Sequence, residues 1–168
     1  MTSGENDTLL PQHRAILDNV EQYGAAVMHV AAEDPRSPSY SYSVGFEHTL
    51  GAPEVLIYGL DRDLAQSMIN EIFRQCREDG LVLADGTRIG NLIEGYDCMA
   101  RPIADPRARI AHFGFANWHR QHTGKGDIPR AMQIVWPDPK TRAFPWEDGC
   151  GFDVENWQTQ LYPSGAPA

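Results

Sequence analysis

The 168-residue chain has no run approaching the roughly 20 consecutive apolar residues that a membrane-spanning helix requires. It is also short of positive charge. Fourteen Lys and Arg stand against 23 Asp and Glu, a formal net charge of -9, so approach to nucleic acid or to anionic lipid is opposed, and neither is expected as a partner. The densest basic run, Arg101 to Arg109, is interrupted by Asp105 and reads as the solvated start of a helix. Cysteine is scarce: Cys76, Cys98 and Cys150 are odd in number, far apart and without a CxxC pair, which leaves no basis for a disulfide framework or a structural zinc site. The opening MTSGENDTLL lacks the basic start and apolar core of a secretory signal, and the expectation is a soluble cytoplasmic protein. No GxGxxG or Walker loop is present, so nucleotide chemistry has no support and no cofactor is specified.

What the chain does have is periodicity. Residues 1–9 are polar and expected to be flexible, residues 10–150 are long enough for one domain with its own core, and residues 151–168 are expected to wrap the surface or stay flexible. After Pro11, Ile16, Leu17 and Val20 recur at helical spacing until Gly24. Ala25 to Ala32 then alternates with both faces largely apolar, which predicts a central strand. Tyr40, Tyr42 and Val44 alternate with serines, and Val55 to Tyr58 follows across the loop Glu47 to Glu54, predicting an antiparallel hairpin with a long turn. Asp61 caps a helix whose apolar stripe is Leu64, Met68, Ile69, Ile72, Phe73 and Cys76, ended by Gly80. Leu81 to Leu83 and Tyr96 to Ile103 read as further strands, and Asp105-Pro106 opens a helix running to about His122. This order predicts an α+β fold, an antiparallel or mixed sheet with helices packed mainly on one face; a split β-barrel is the alternative.

The stretch Arg130 to Gly149 carries the most local information. Met132, Ile134 and Trp136 alternate with Gln133 and Val135, and Pro137 ends the strand by removing a backbone donor. A polar turn, Asp138 to Arg142, separates it from Ala143-Phe144-Pro145-Trp146, so Trp136 and Trp146 flank one turn. Two indoles so close either cover the edge of a core or wall a pocket that takes a ligand. MQIVWPD and FPWE, with the upstream YSVGFEHTLGAPEVLIYGL, resemble the bacterial family known as domain of unknown function 4262. Its members read as an extended YTxGL segment, a HPEL-like turn, a strand ending in GL, and a late LQxVWPD with FPW. The resemblance spans about Gly24 to Trp146 and implies a bacterial domain with no established activity. Where the family commonly has His-Pro-Glu-Leu, this chain has Ala52-Pro53-Glu54-Val55, so a role borne by that histidine is absent here or falls to His48.

His48, with Glu47 before it and Glu54 six residues later, offers an imidazole and two carboxylates, the minimum for acid–base catalysis. The alternative is structural: His48 bonded to loop backbone, Glu54 paired with an arginine. Asp138 reads as a catalytic acid or as the turn former after a strand, and without a Cys-x5-Arg loop its WPD is no phosphatase signature. His119 and His122 can share a metal, whereas His112 lies about 10 Å away along a straight helix. Two ligands with no third leave no metal centre expected, and histidines at a helix end have a simpler use against its dipole. Cys76 and Cys98 read as small buried hydrophobes, and Cys150, between two glycines, as an accessible thiol without a base. Together these predict a protein that binds a small molecule or peptide in an aromatic-walled pocket, where the Glu47–Glu54 loop meets the WPD–FPW turn. A tailoring enzyme or hydrolase using the His/carboxylate pair, and a protein-interaction module, are the alternatives.

Overall fold

Helix and strand follow one another much as the periodicity implies, over the residues 9–168 that the computed structural model describes. The polar start at residues 1–8, expected to be flexible, lies outside the described residues. Helix α1 spans Pro11–Tyr23, with proline in its first turn and left-handed Gly24 at its end. Strands β1 (Ala26–Val30), β2 (Tyr40–Val44) and β3 (Glu54–Tyr58) follow, and a five-residue helix α2 (Phe46–Leu50) occupies the loop between β2 and β3. Helix α3 is Arg62–Glu78, and strands β4 and β5 are Arg88–Ile93 and Tyr96–Pro102. Helices α4 (Pro106–His112) and α5 (Gly114–His122), strand β6 (Ala131–Val135) and helix α6 (Phe152–Trp157) complete the order.

The strands form one open sheet in the order β1-β2-β3-β6-β5-β4, the mixed α+β arrangement that the element order predicts and not a closed barrel. Every neighbouring pair is antiparallel except β3 and β6, which run parallel with Glu54 beside Ala131 and Leu56 beside Gln133. Alternation along β3 sends Val55 and Ile57 to one face and Leu56 and Tyr58 to the other. Met68, Ile69, Ile72 and Phe73 of α3 cover the first face; Ile16 and Val20 of α1, with Phe113 and Ala116, cover the second. Since the central strands are apolar on both sides, the helices divide between the faces instead of gathering mainly on one.

Four local expectations change. The segment 25–32, expected at the centre, supplies an edge strand, because helices on both faces reach β1 and account for its two apolar sides. Leu81 to Leu83 forms no strand; the partner of β5 is β4, whose Gly90 and left-handed Asn91 (φ 63°) break the alternation with a shift of register. The helix expected to run to His122 divides at Phe113, whose ring turns into the core against Tyr42, while the Asn117 amide donates to the carbonyls of Arg109 and Phe113. Arg101, expected on a solvated helix start, is 1% exposed on β5. It pairs with Asp85 at 2.7 Å and lies over the rings of Trp146 and Tyr162.

Asp61 caps α3 by accepting from the N–H groups of Asp63 and Leu64. The stripe that this helix buries is a direct test of the layered core. Ile72→Ala should lower the unfolding free energy by about 2–5 kcal/mol, the cost of lost methylene burial plus the cavity left behind, measured by urea denaturation.

Candidate functional site

At the end of the sheet where β3 begins, a buried carboxylate organises the backbone. The alternation of β2 points Ser43 inward, and Gly45 (φ 102°) then turns the chain into α2; a Cβ there would stand 3.0 Å from the Gly24 carbonyl oxygen. The first N–H groups of any helix lack intrahelical acceptors. Glu54, the first residue of β3, supplies one: its carboxylate accepts from the N–H groups of Gly45 (3.3 Å), Phe46 (3.1 Å) and Glu47 (3.2 Å) and from the Ser43 hydroxyl (2.7 Å). Ser43 Oγ in turn accepts from Val55 N–H. Glu54 is 3% exposed, and burial pushes its carboxyl up to about 7 against the pull of those four donors.

Helix α5 brings His119 to the same place. A void of about 10 Å³, room for about one water molecule, is lined by Glu54, Glu47 and His48 from the first side and by His119, Arg120, Thr123 and Lys125 from the second. His48 meets His119 edge to face, 5.3 Å between centroids. His119 is 4% exposed, and burial, followed by the neighbouring His48 and His122, pushes its imidazole down to about 4. Glu47 pairs with Arg130 at 2.8 Å through Oε1, and its Oε2 is buried without a partner among the described residues. Arg130 also donates to the Gly51 carbonyl, which fixes the far end of α2. The result is a carboxyl that can hold a proton at neutral pH, beside an imidazole that stays neutral there. Two groups with pKa values driven apart in this way are suited to passing a proton.

Neither structural alternative weighed for the loop takes the form expected. Glu54 bonds backbone and serine, not an arginine, and His48 rests on His119, not on loop carbonyls. The remaining candidates lie elsewhere. Because β3 and β6 are parallel, the Glu47–Glu54 loop precedes them at one end while Trp136 and Asp138 follow β6 at the other, about 16 Å away across a five-residue strand. The shared pocket expected for the two loops does not form.

Trp136 donates its indole N–H to the Tyr58 carbonyl inside the core, and Trp146 stacks on Phe144 beneath Arg101. Asp138 accepts from the N–H groups of Lys140 and Gly151, which hold its carboxyl below the ordinary range and make it a turn former. His122 stacks on Trp118, away from the void, and no group of three or more metal-ligating side chains occurs among the described residues. The Cys150 thiol is half-buried and raised by that burial and by Asp138, Glu155 and Glu147. An aromatic-walled groove of about 660 Å³ does lie at the far end, but its walls are Tyr96 and Phe144, with Arg142 over the first ring and Arg88 over the second. Sequence reasoning missed Ser43 and Arg130. The Tyr-Ser-Tyr-Ser alternation is the nearest signal for Ser43, and both Ser41 and Ser43 are buried.

An open mixed sheet with helices on both faces and a clamped carboxylate at one end defines an α+β domain. The family model described as domain of unknown function (DUF4262) matches residues 19–151, most of the chain, and the protein belongs to that family. Searches of curated proteins and of solved structures find no match.

The two shifted groups pull stability in opposite directions. Glu54 titrates at about 7 when folded against 4.5 ordinarily, so its contribution is full below pH 4.5 and is lost as pH rises through 7. His119 titrates at about 4 against 6.5, so its contribution is full above pH 6.5 and is lost as pH falls through 4. Between pH 4.5 and 6.5 the slopes offset one another in the intact protein. Unfolding midpoints across this range should rise with pH in Glu54→Gln and fall with pH in His119→Gln, each by at most about 1.4 kcal/mol per pH unit. Parallel curves for both variants and the intact protein would contradict the assignment.

Proposed function

We propose that the protein binds a small molecule or peptide at the mouth of the Glu54 void and exchanges a proton with it. One observation carries this reading: the ring of His119, set edge-on to His48, shares a one-water void with a buried carboxyl poised near neutrality. Glu47 Oε2, on the same void, is buried without a partner among the described residues, and a polar group left so costs about 1–3 kcal/mol. A ligand, reached through a single water, gives the ring its use. Arg120, Thr123 and Lys125 form a polar, basic rim, which favours an acidic group on the ligand in a chain that is otherwise acidic. Binding is favoured over hydrolysis because the hydroxyls at hand are engaged: Ser43 donates to Glu54, and Thr123 to the Arg120 carbonyl. A proton-transferring tailoring activity fits the same pair of groups. Three free cysteines and the acidic composition are consistent with the cytoplasm of a bacterium, without nucleic acid or membrane as a partner.

A second reading rests on the far groove, which has the size of a small-molecule or peptide site and two guanidinium groups lying over aromatic rings. The two are separable. In a thermal-shift screen of metabolites and dipeptides at pH 6 and pH 8, ligands of the void should stabilise the protein differently at the two pH values, and the difference should vanish in Glu54→Gln and His119→Gln. Ligands indifferent to pH and to both variants, but lost in Arg88→Ala, would move the function to the groove.

A further inference from the structure

A cleft of about 320 Å³ lies at the end of the sheet where β5 finishes and β6 begins, walled by Leu83, Ile103, Met132 and three prolines. Its charges are accounted for with one exception. Asp85 gives one oxygen to Arg101 and the other to the Ala168 N–H, and Arg130 is held by Glu47 and the Gly51 carbonyl. Arg109, from α4, spends only Nη1, which donates to the carbonyls of Ile103 and Ala104, both at 3.0 Å. Its Nε is buried without a partner, and it makes no ion pair among the described residues. Nη2 also donates to nothing among the described residues and, unlike Nε, is not closed off from solvent, so it is the nitrogen that a carboxylate from outside can reach. A partly buried cation facing an apolar wall without a counter-ion is costly, and an anion from outside removes that cost.

We infer that this cleft binds an aliphatic carboxylic acid, its carboxylate on Arg109 and its chain along Leu83, Ile103 and Met132. No aromatic side chain lines the cleft, so nothing selects a ring. Phosphate fits poorly, because its remaining oxygens would face the apolar side chains of Leu83, Ile103 and Met132 and the Asp85 carboxylate. The site is separate from the Glu54 void, from which the Arg130–Glu47 pair divides it.

Calorimetric titration of the full chain with sodium octanoate, octanamide and inorganic phosphate tests this. Octanoate should bind one to one, with octanamide and phosphate at least tenfold weaker, and Arg109→Gln should abolish the preference for acid over amide. His119→Gln, on the far wall of the void, should leave octanoate binding unchanged, which keeps this result independent of the proton-exchange reading. Since Arg109 also ties two carbonyls, its replacement can loosen this corner. The Arg109 Nε–H resonance of the unsubstituted protein is therefore followed as well, and it should shift as octanoate is added. Equal affinity for octanoate and octanamide, no octanoate binding at millimolar concentration, or an Arg109 resonance that stays still while octanoate binds would each overturn the inference.

Discussion

Everything at the end of the sheet where β3 begins depends on one carboxylate taken out of water. Burying Glu54 carries a desolvation penalty of several kcal/mol, compensated only if its oxygens find donors. Three consecutive N–H groups and one hydroxyl supply them, and in doing so join the end of β2, the start of α2 and the start of β3. That clamp turns α2 so that Glu47 reaches Arg130 and His48 meets His119. An amide in its place would offer one acceptor oxygen where two are used. The loop geometry and the protonation of Glu54 are therefore one property.

The segments that mark the family mostly hold the chain together. Gly45 fits where a side chain would strike the Gly24 carbonyl, Gln133 reaches the tail at Thr159 and Leu161, Trp136 bonds Tyr58, and Asp138 closes its own turn. Each is satisfied inside the protein. The buried polar atoms left without a partner among the described residues, Glu47 Oε2 and Arg109 Nε, stand outside the WPD and FPW segments. A motif dense in aromatic and turn-forming residues thus describes how the far end of the sheet is covered, while the clamped carboxylate stands at the other.

Much of this fold is legible in the sequence because its signals are local. The stripe of α3, the Asp61 cap, the hairpin of β2 and β3 and the strand before Pro137 all follow from spacing and turn chemistry. What fails is decided between elements. Nothing near residue 55 says that β3 and β6 lie parallel, and that relation alone separates the two loops expected to meet. Phe113 breaks a helix that its own sequence permits because Tyr42, 71 positions earlier, offers its ring a buried face. Arg101 looks solvated until Asp85, Trp146 and Tyr162 surround it. Of the site, His48, Glu47 and Glu54 are visible in the sequence as a local cluster, whereas His119 stands out there only beside His122, because its approach to His48 is made between elements.

The protonation of Glu54 is the quantity on which the account turns. Carbon-13 NMR of the Glu54 side-chain carboxyl, followed from pH 4 to pH 9 in the folded protein, measures it without any ligand or assay. A midpoint near 7 is the predicted result. A midpoint at or below the ordinary glutamate value of 4.5 would mean that the four donors outweigh burial, leaving Glu54 a permanently charged clamp with no proton to exchange.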